Sequence, residues 1–242
     1  MSEKLFTGKA AAYAAARPGY PQAAIDYVLS LAPTGAVFAD IGAGTGKFTA
    51  TLAASASGEK IFAVEPNDDM RAQLADVCTE FSNVEIVAAT AEVTALPDAS
   101  VDVIIVAQAL HWFDHIAFAA ECRRIARENA IIVAVYNNNP RPGAANGGNR
   151  NLNYKTTATF FDCPVIREFP NPITYTREKW LTYMQSHSHS PLPGTLQHAD
   201  LMAEVSATFD RENINGLMVI NTVTTVFHAG VLQIRNFLEH CG

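Results

Sequence analysis

A layered α/β fold, in which a mostly parallel sheet lies between helices, is predicted by three features of this sequence. Short apolar runs rich in β-branched residues recur at 37–41, 60–65, 84–88, 101–107 and 130–136. The run at 101–107 is nearly unbroken, as expected for a strand buried on both faces. A glycine loop with Gly42, Gly44 and Gly46 joins the first run to 47–52, whose spacing suits a helix. Strand, glycine loop and helix in that order are the setting of a nucleotide-type site.

Taken in order, residues 2–16 are small and alanine-rich and read as a helical arm carrying Tyr13. Arg17, Pro18, Gly19, Tyr20 and Pro21 break it, and Pro21 suits the first turn of a helix over 22–31. The loop glycines do not follow the dinucleotide fingerprint, which would need its third glycine where Lys47 stands, so a nicotinamide oxidoreductase is the weaker alternative. No Lys-Ser/Thr pair closes the loop around a triphosphate. The second strand ends in Glu65, which follows Gly46 at close to the spacing of about 20 residues at which an acid meets ribose hydroxyls. Pro66 and Asn67 then start a helix that places Met70 to pack near an adenine.

Strand 84–88 leads to Ala91 and Glu92, and strand 101–107 delivers Gln108, His111 and Trp112 to the rim where open α/β sheets bind ligands. After strand 130–136, the Asn, Gly and Pro content of 137–151 marks a connection. Residues 166–176, with helices over 177–185 and 197–209, read as an insertion able to form a lid. Residues 217–227 read as a closing strand, and 230–240 as a final amphipathic helix. The expected division of this single domain is an arm over 1–33, a cofactor-binding core over 34–136, a lid over 137–210, and a closing strand and helix over 211–242.

With 242 residues, 49% of them hydrophobic, the chain can bury a full core. Its formal charge of -7 argues against nucleic acid as a partner. Cys78, Cys122, Cys163 and Cys241 are scattered and read as reduced thiols. His187 and His189 lack a neighbouring Cys or carboxylate, so no metal is expected. No cationic leader or membrane-length apolar run is present, and the expectation is a cytoplasmic monomer or homodimer without membrane association.

The series Asp40-Ile-Gly-Ala-Gly-Thr-Gly46, Val64-Glu-Pro66, Ala91-Glu92 and Ala107-Gln-Ala-Leu-His-Trp-Phe113 resembles the class I methyltransferases of domain type 11, which use S-adenosylmethionine. Within them the chain is similar to the trans-aconitate methyltransferase-like, small-molecule branch, to which Tyr13–Pro21 and Ser190–Gly194 also correspond. The resemblance implies a Rossmann-like, doubly wound, seven-stranded sheet with an antiparallel closing strand. It implies that Gly42, Ala43, Gly44 and Gly46 form the cofactor loop, with Asp40 supporting it near the methionine ammonium. Glu65 and Pro66 would meet the ribose, Met70, Ala91 and Glu92 the adenine, and Gln108 the sulfonium end. Tyr13, Arg17, Tyr20, His111 and Trp112 would face a small-molecule acceptor. His111 is the candidate catalytic base, since its ordinary pKa lies near neutrality. The expected acceptor atom is oxygen, of a carboxylate or hydroxyl, with nitrogen or sulfur next. A protein that holds the cofactor without transferring its methyl, or catalyses a rearrangement, is the alternative. The family's usual Lys-Pro-Gly-Gly turn before strand five is replaced by Arg127-Glu-Asn-Ala130.

Overall fold

A computed structural model describes residues 18–56, 58–138, 149–185, 190–191 and 193–235. The predicted arm helix and the far end of the predicted final helix lie outside the described residues. Seven strands form one sheet: β1 (Phe38–Ile41), β2 (Ile61–Val64), β3 (Val84–Val87), β4 (Val101–Ala107), β5 (Ala126–Asn138), β6 (Val165–Tyr175) and β7 (Met218–Gly230). Their order is β3-β2-β1-β4-β5-β7-β6, and only β7 runs antiparallel to its neighbours.

Period-two alternation divides the central strands between two cores. Ala39, Ile41, Ile104 and Val106 face one core, with Phe118 and Cys122 of α4 (His115–Ile125) and Phe160 of α5 (Asn149–Phe160). Phe38, Val103 and Ile105 face the other, with Ile25 and Val28 of α1 (Gln22–Ser30) and Phe48 and Leu52 of α2 (Lys47–Ser55). Both faces are therefore covered, which is why these strands read as continuous apolar runs. The winding brings the carboxyl ends of β1, β2 and β4 to one edge, with Ile41 beside Val64 and Asp40 beside Ile105.

Several parts differ from the sequence reading, among them α5, which begins within the expected connection over 137–151. Residues 165–175, expected within a lid insertion, are the outermost strand of the sheet, paired along their length with β7. Their apolar signal is weak because one edge meets no partner strand and Pro170, Asn171 and Pro172 interrupt the middle. The two prolines are two residues apart, so their missing N–H groups lie on the same side of the strand.

The described part of the predicted helix over 230–240 is instead a 3₁₀ turn, Val231–Gln233, after which Ile234 bridges to Phe161. Gln233 accepts from the Gly230 N–H at 2.8 Å, and Arg123 donates to the carbonyls of Ile234 and Arg235, so these groups are satisfied without helical bonds. The segment 127–130 is no separate turn. It belongs to β5, with an irregular register between Val101 and Val103 and Asn129 at φ 64°.

Beyond the sheet, α6 (Arg177–Gln185) and α7 (Leu196–Glu212) bury Trp180, Val205 and Phe209 against Tyr175, Met218 and Ile220. The Trp180 indole N–H donates to the Val205 carbonyl at 3.0 Å. No helix among the described residues is long and apolar enough to cross a membrane.

The connection after β3 is held down by a buried acid. Glu121 accepts from the Thr94 N–H at 2.7 Å and from the Thr94 hydroxyl, and is gripped by Arg124 Nε at 2.8 Å and Nη2 at 2.7 Å. Arg124 also donates to the Leu96 carbonyl at 2.8 Å. These bonds hold the carboxyl at about 2, below its ordinary 4.5. Glu121 therefore contributes stability that is complete above pH 4.5 and is lost as pH falls toward 2. Glu121→Gln is expected to cost about 2 kcal/mol at neutral pH and to flatten the acid limb of stability, measured by urea unfolding across pH.

Candidate active site

The glycine loop owes its course to left-handed backbone, with φ of 71° at Gly42, 58° at Gly44 and 79° at Gly46. The N–H groups of Gly42 and Ala43 donate to the Val64 carbonyl at 2.9 and 3.0 Å, which ties the loop to the end of β2. A Cβ at Gly42 would stand 2.9 Å from the Ala109 side chain. One at Gly46 would stand 2.6 Å from Leu74 Cδ1 and 3.2 Å from Leu74 Cα. At Gly44 nothing lies within 4 Å, so the middle of the loop faces open space while its flanks are packed.

Glu65 is buried at the tip of β2, and its two oxygens accept from the Gly44 N–H and the Asn67 N–H, each at 2.9 Å. Asn67 caps α3 (Asp68–Cys78) by accepting from the Met70 N–H. Arg71 donates to the carbonyls of Glu65 and Pro66, holding the turn between strand and helix.

Asp40 is fully buried between β1 and α2. Its Oδ2 accepts from the Thr49 hydroxyl at 2.6 Å, and its Oδ1 has no hydrogen-bond partner among the described residues. Burial raises its pKa from 3.8 to about 7, the Thr49 bond opposes the rise, and the nearby Glu65 charge adds to it.

One cleft collects most of the predicted residues. Gly42, Ala43 and Gly44 line it with Glu65, Pro66 and Met70, as do Tyr20, Gln108 and Trp112. Gln108 holds φ 61°, an uncommon conformation for a side chain of this kind, while its N–H donates to the Val135 carbonyl.

Other predicted residues stand elsewhere. Gly46 and Asp40 lie beneath the loop rather than in its wall. Ala91 is buried in the core, and Glu92 accepts from the N–H of Asp114, the residue that caps α4, at 3.0 Å. Neither lines the cleft among the described residues, because the loop that carries them serves to anchor the start of α4. His111 also stands outside the lining. It is half-buried in the 3₁₀ turn Leu110–Trp112, with its ring 4.7 Å from that of Trp112. Tyr13 and Arg17 lie outside the described residues.

Several lining residues escaped the sequence reading: Lys47, Phe48, Asn67, Phe113, Asn137 and Tyr183. Phe113 and Asn137 follow or end predicted strands and were within reach of that logic. Tyr183 comes from α6, and no local pattern marks which face of that helix turns to the cleft. Among the described residues, no group of three side chains could hold a metal ion.

The family described as the methyltransferase domain matches residues 39–134, from β1 into β5. Over this segment the chain is similar to the methyltransferase domain. An uncharacterized methyltransferase-like protein of Schizosaccharomyces pombe is 36% identical over 137 residues, covering 55% of this chain and 52% of that protein. An uncharacterized methyltransferase of Mycobacterium tuberculosis is 36% identical over 132 residues, covering 54% and 51%. The match thus spans about half the length of these curated relatives. A solved structure described as a candidate type II methyltransferase from Anaeromyxobacter dehalogenans superposes with a TM-score of 0.68. It is 25% identical, over 89% of this chain and 98% of that one.

The residues present fit S-adenosylmethionine, the cofactor that the resemblance implies. Gly44 leaves its space clear for a close ligand, the Glu65 carboxylate faces the cleft, and beneath the loop Asp40 holds a buried acceptor oxygen without a partner among the described residues.

Two outcomes follow for this segment. Gly46→Ala meets Leu74 and is expected to destabilise the fold by about 3 kcal/mol. Gly44→Ala carries only the left-handed penalty of about 1 kcal/mol and instead weakens S-adenosylhomocysteine binding. Chemical denaturation and calorimetry separate the two effects. For Asp40, the folded state holds its proton more tightly than the unfolded chain, so ligand-free stability is full below pH 3.8 and falls as pH rises through about 7. Asp40→Asn is expected to remove that fall and melt higher than the parent at pH 8, read by scanning calorimetry.

Proposed function

We propose that this protein transfers a methyl group from S-adenosylmethionine to an oxygen of a small-molecule acceptor by in-line displacement. The observation that carries the reading is the contact between the Glu65 carboxylate and the N–H of Gly44. It sets a diol-binding acid directly against the open centre of a glycine loop that lacks the third glycine of a dinucleotide site. When bound, S-adenosylmethionine supplies a sulfonium methyl, whose bond to sulfur breaks as its bond to the acceptor forms, the sulfur keeping the electron pair and leaving as S-adenosylhomocysteine.

The chain's own task is to orient and to exclude water. Holding reactants in line is worth roughly 7–11 kcal/mol at best. Tyr20, Trp112 and Phe113 supply apolar walls for this, and the strained Gln108 backbone fixes the turn that carries the last two. A carboxylate acceptor needs no base, whereas a hydroxyl must lose its proton as the methyl arrives, and His111, whose ring stands 4.7 Å from that of the lining Trp112, is the candidate to take it. The aromatic walls and the net charge of -7 favour a small acceptor over a polyanion.

Isothermal calorimetry with S-adenosylhomocysteine and NADH tests the cofactor. The first is expected to bind and the second to give no heat, and NADH binding in its place would sink the proposal. Glu65→Gln is expected to weaken S-adenosylhomocysteine 10–100-fold, about 1.4–2.8 kcal/mol. Release of S-adenosylhomocysteine during turnover with a metabolite extract tests the transfer.

A further inference from the structure

Pro18 and Tyr20 line the cleft, and the carbonyl of Gly19 between them is held from two strands at once. Asn137 Nδ2, near the end of β5, and Asn171 Nδ2, in β6, each donate to it at 3.0 Å. The two N–H groups fill both lone pairs of that oxygen. Of the two amides, Asn137 belongs to the cleft wall and Asn171 stands outside it.

Thr224 of β7 joins the two amides into one cluster. Its hydroxyl donates to Asn137 Oδ1 at 2.6 Å and accepts from Asn171 Nδ2 at 3.2 Å, while Asn171 Nδ2 also approaches Asn137 Oδ1 at 3.3 Å. The sequence stiffens the outer member. Pro172 confines the residue before it to extended backbone, and Pro170 fixes its own φ, so Asn171 is presented by a stretch of strand with little freedom. Phe169, two residues earlier on the same face of β6, packs against Tyr27 of α1 with ring centroids 5.5 Å apart. One face of β6 thus meets both α1 and the segment that leads into it.

Tyr20 follows the clamped carbonyl directly. Its ring meets edge-on, at a centroid distance of 4.9 Å, that of Phe48, which also lines the cleft and stands two residues after Gly46. Tyr20 therefore borders the loop end of the cleft.

We infer that Asn171 is a positioning residue for the cleft: by holding the Gly19 carbonyl from the outermost strand, it sets Tyr20 against a ligand on the glycine loop. The inference rests on the reading that S-adenosylmethionine occupies the loop end. With one of the two donors removed, the backbone that carries Tyr20 gains freedom in the ligand-free protein, and binding has to order it again. That cost is read as lost affinity.

The test titrates S-adenosylhomocysteine calorimetrically into the full chain as the parent, as Asn171→Leu, as Tyr20→Ala and as the double variant. Asn171→Leu is expected to bind about fivefold more weakly than the parent, although Asn171 stands outside the cleft wall. In the Tyr20→Ala background the same change is expected to cost less than about twofold, because the side chain it positions is gone. A role confined to the stability of β6 would lower the melting temperature with affinity unaltered, or weaken binding equally in both backgrounds, and either result would overturn the inference. Asn171→Ala takes the place of Asn171→Leu should the latter fail to fold. A parent chain that does not bind S-adenosylhomocysteine would instead strike the cofactor reading.

Discussion

The carboxylate of Glu65 joins three elements at the ligand edge of the sheet. One oxygen accepts from the glycine loop that follows β1 and the other from the residue that caps α3, while the carboxylate itself ends β2. A loop with three left-handed glycines makes few regular bonds of its own, and an amide left unsatisfied under the rim would cost about 1–3 kcal/mol. The same acid thus orders the loop and faces the cleft. The course of the loop and the wall of the cleft depend on one side chain.

This arrangement carries an electrostatic cost in the ligand-free protein. Asp40 and Glu65 are neighbouring carboxylates, one of them fully buried with an oxygen that has no partner among the described residues. Such a pair is poor for folding and well placed for a cation. Stability lost in that pocket is offset by the two cores on either side of β1 and β4.

The sequence made the interior of the fold legible and its margins less so. Strands β1, β2 and β4 are buried on both faces, so their apolar runs could be read directly, and the glycine spacing with Glu65 located the loop end of the cleft. Strand β6 was hidden because an edge strand needs little apolar surface, and the prolines in it look like a loop. The first part of α5 has few apolar residues, while Phe160 at its end and Phe161 just beyond it are buried. Glu92 accepts from the Asp114 N–H, since an acid after a strand can tie down a neighbouring loop as readily as it can meet a base. Tyr183 and Asn137 reach the cleft through the packing of α6 and the length of β5, which are properties of the assembled fold.

Pro170 and Pro172 give the outer strand a further property. A sheet grows by donating and accepting along its free margin, and on β6 two successive positions on one side have nothing to donate. A second polypeptide laid beside that strand would find gaps where its carbonyls need hydrogens. The prolines leave the strand poorer in donors, and among the described residues no further strand pairs with its outer margin.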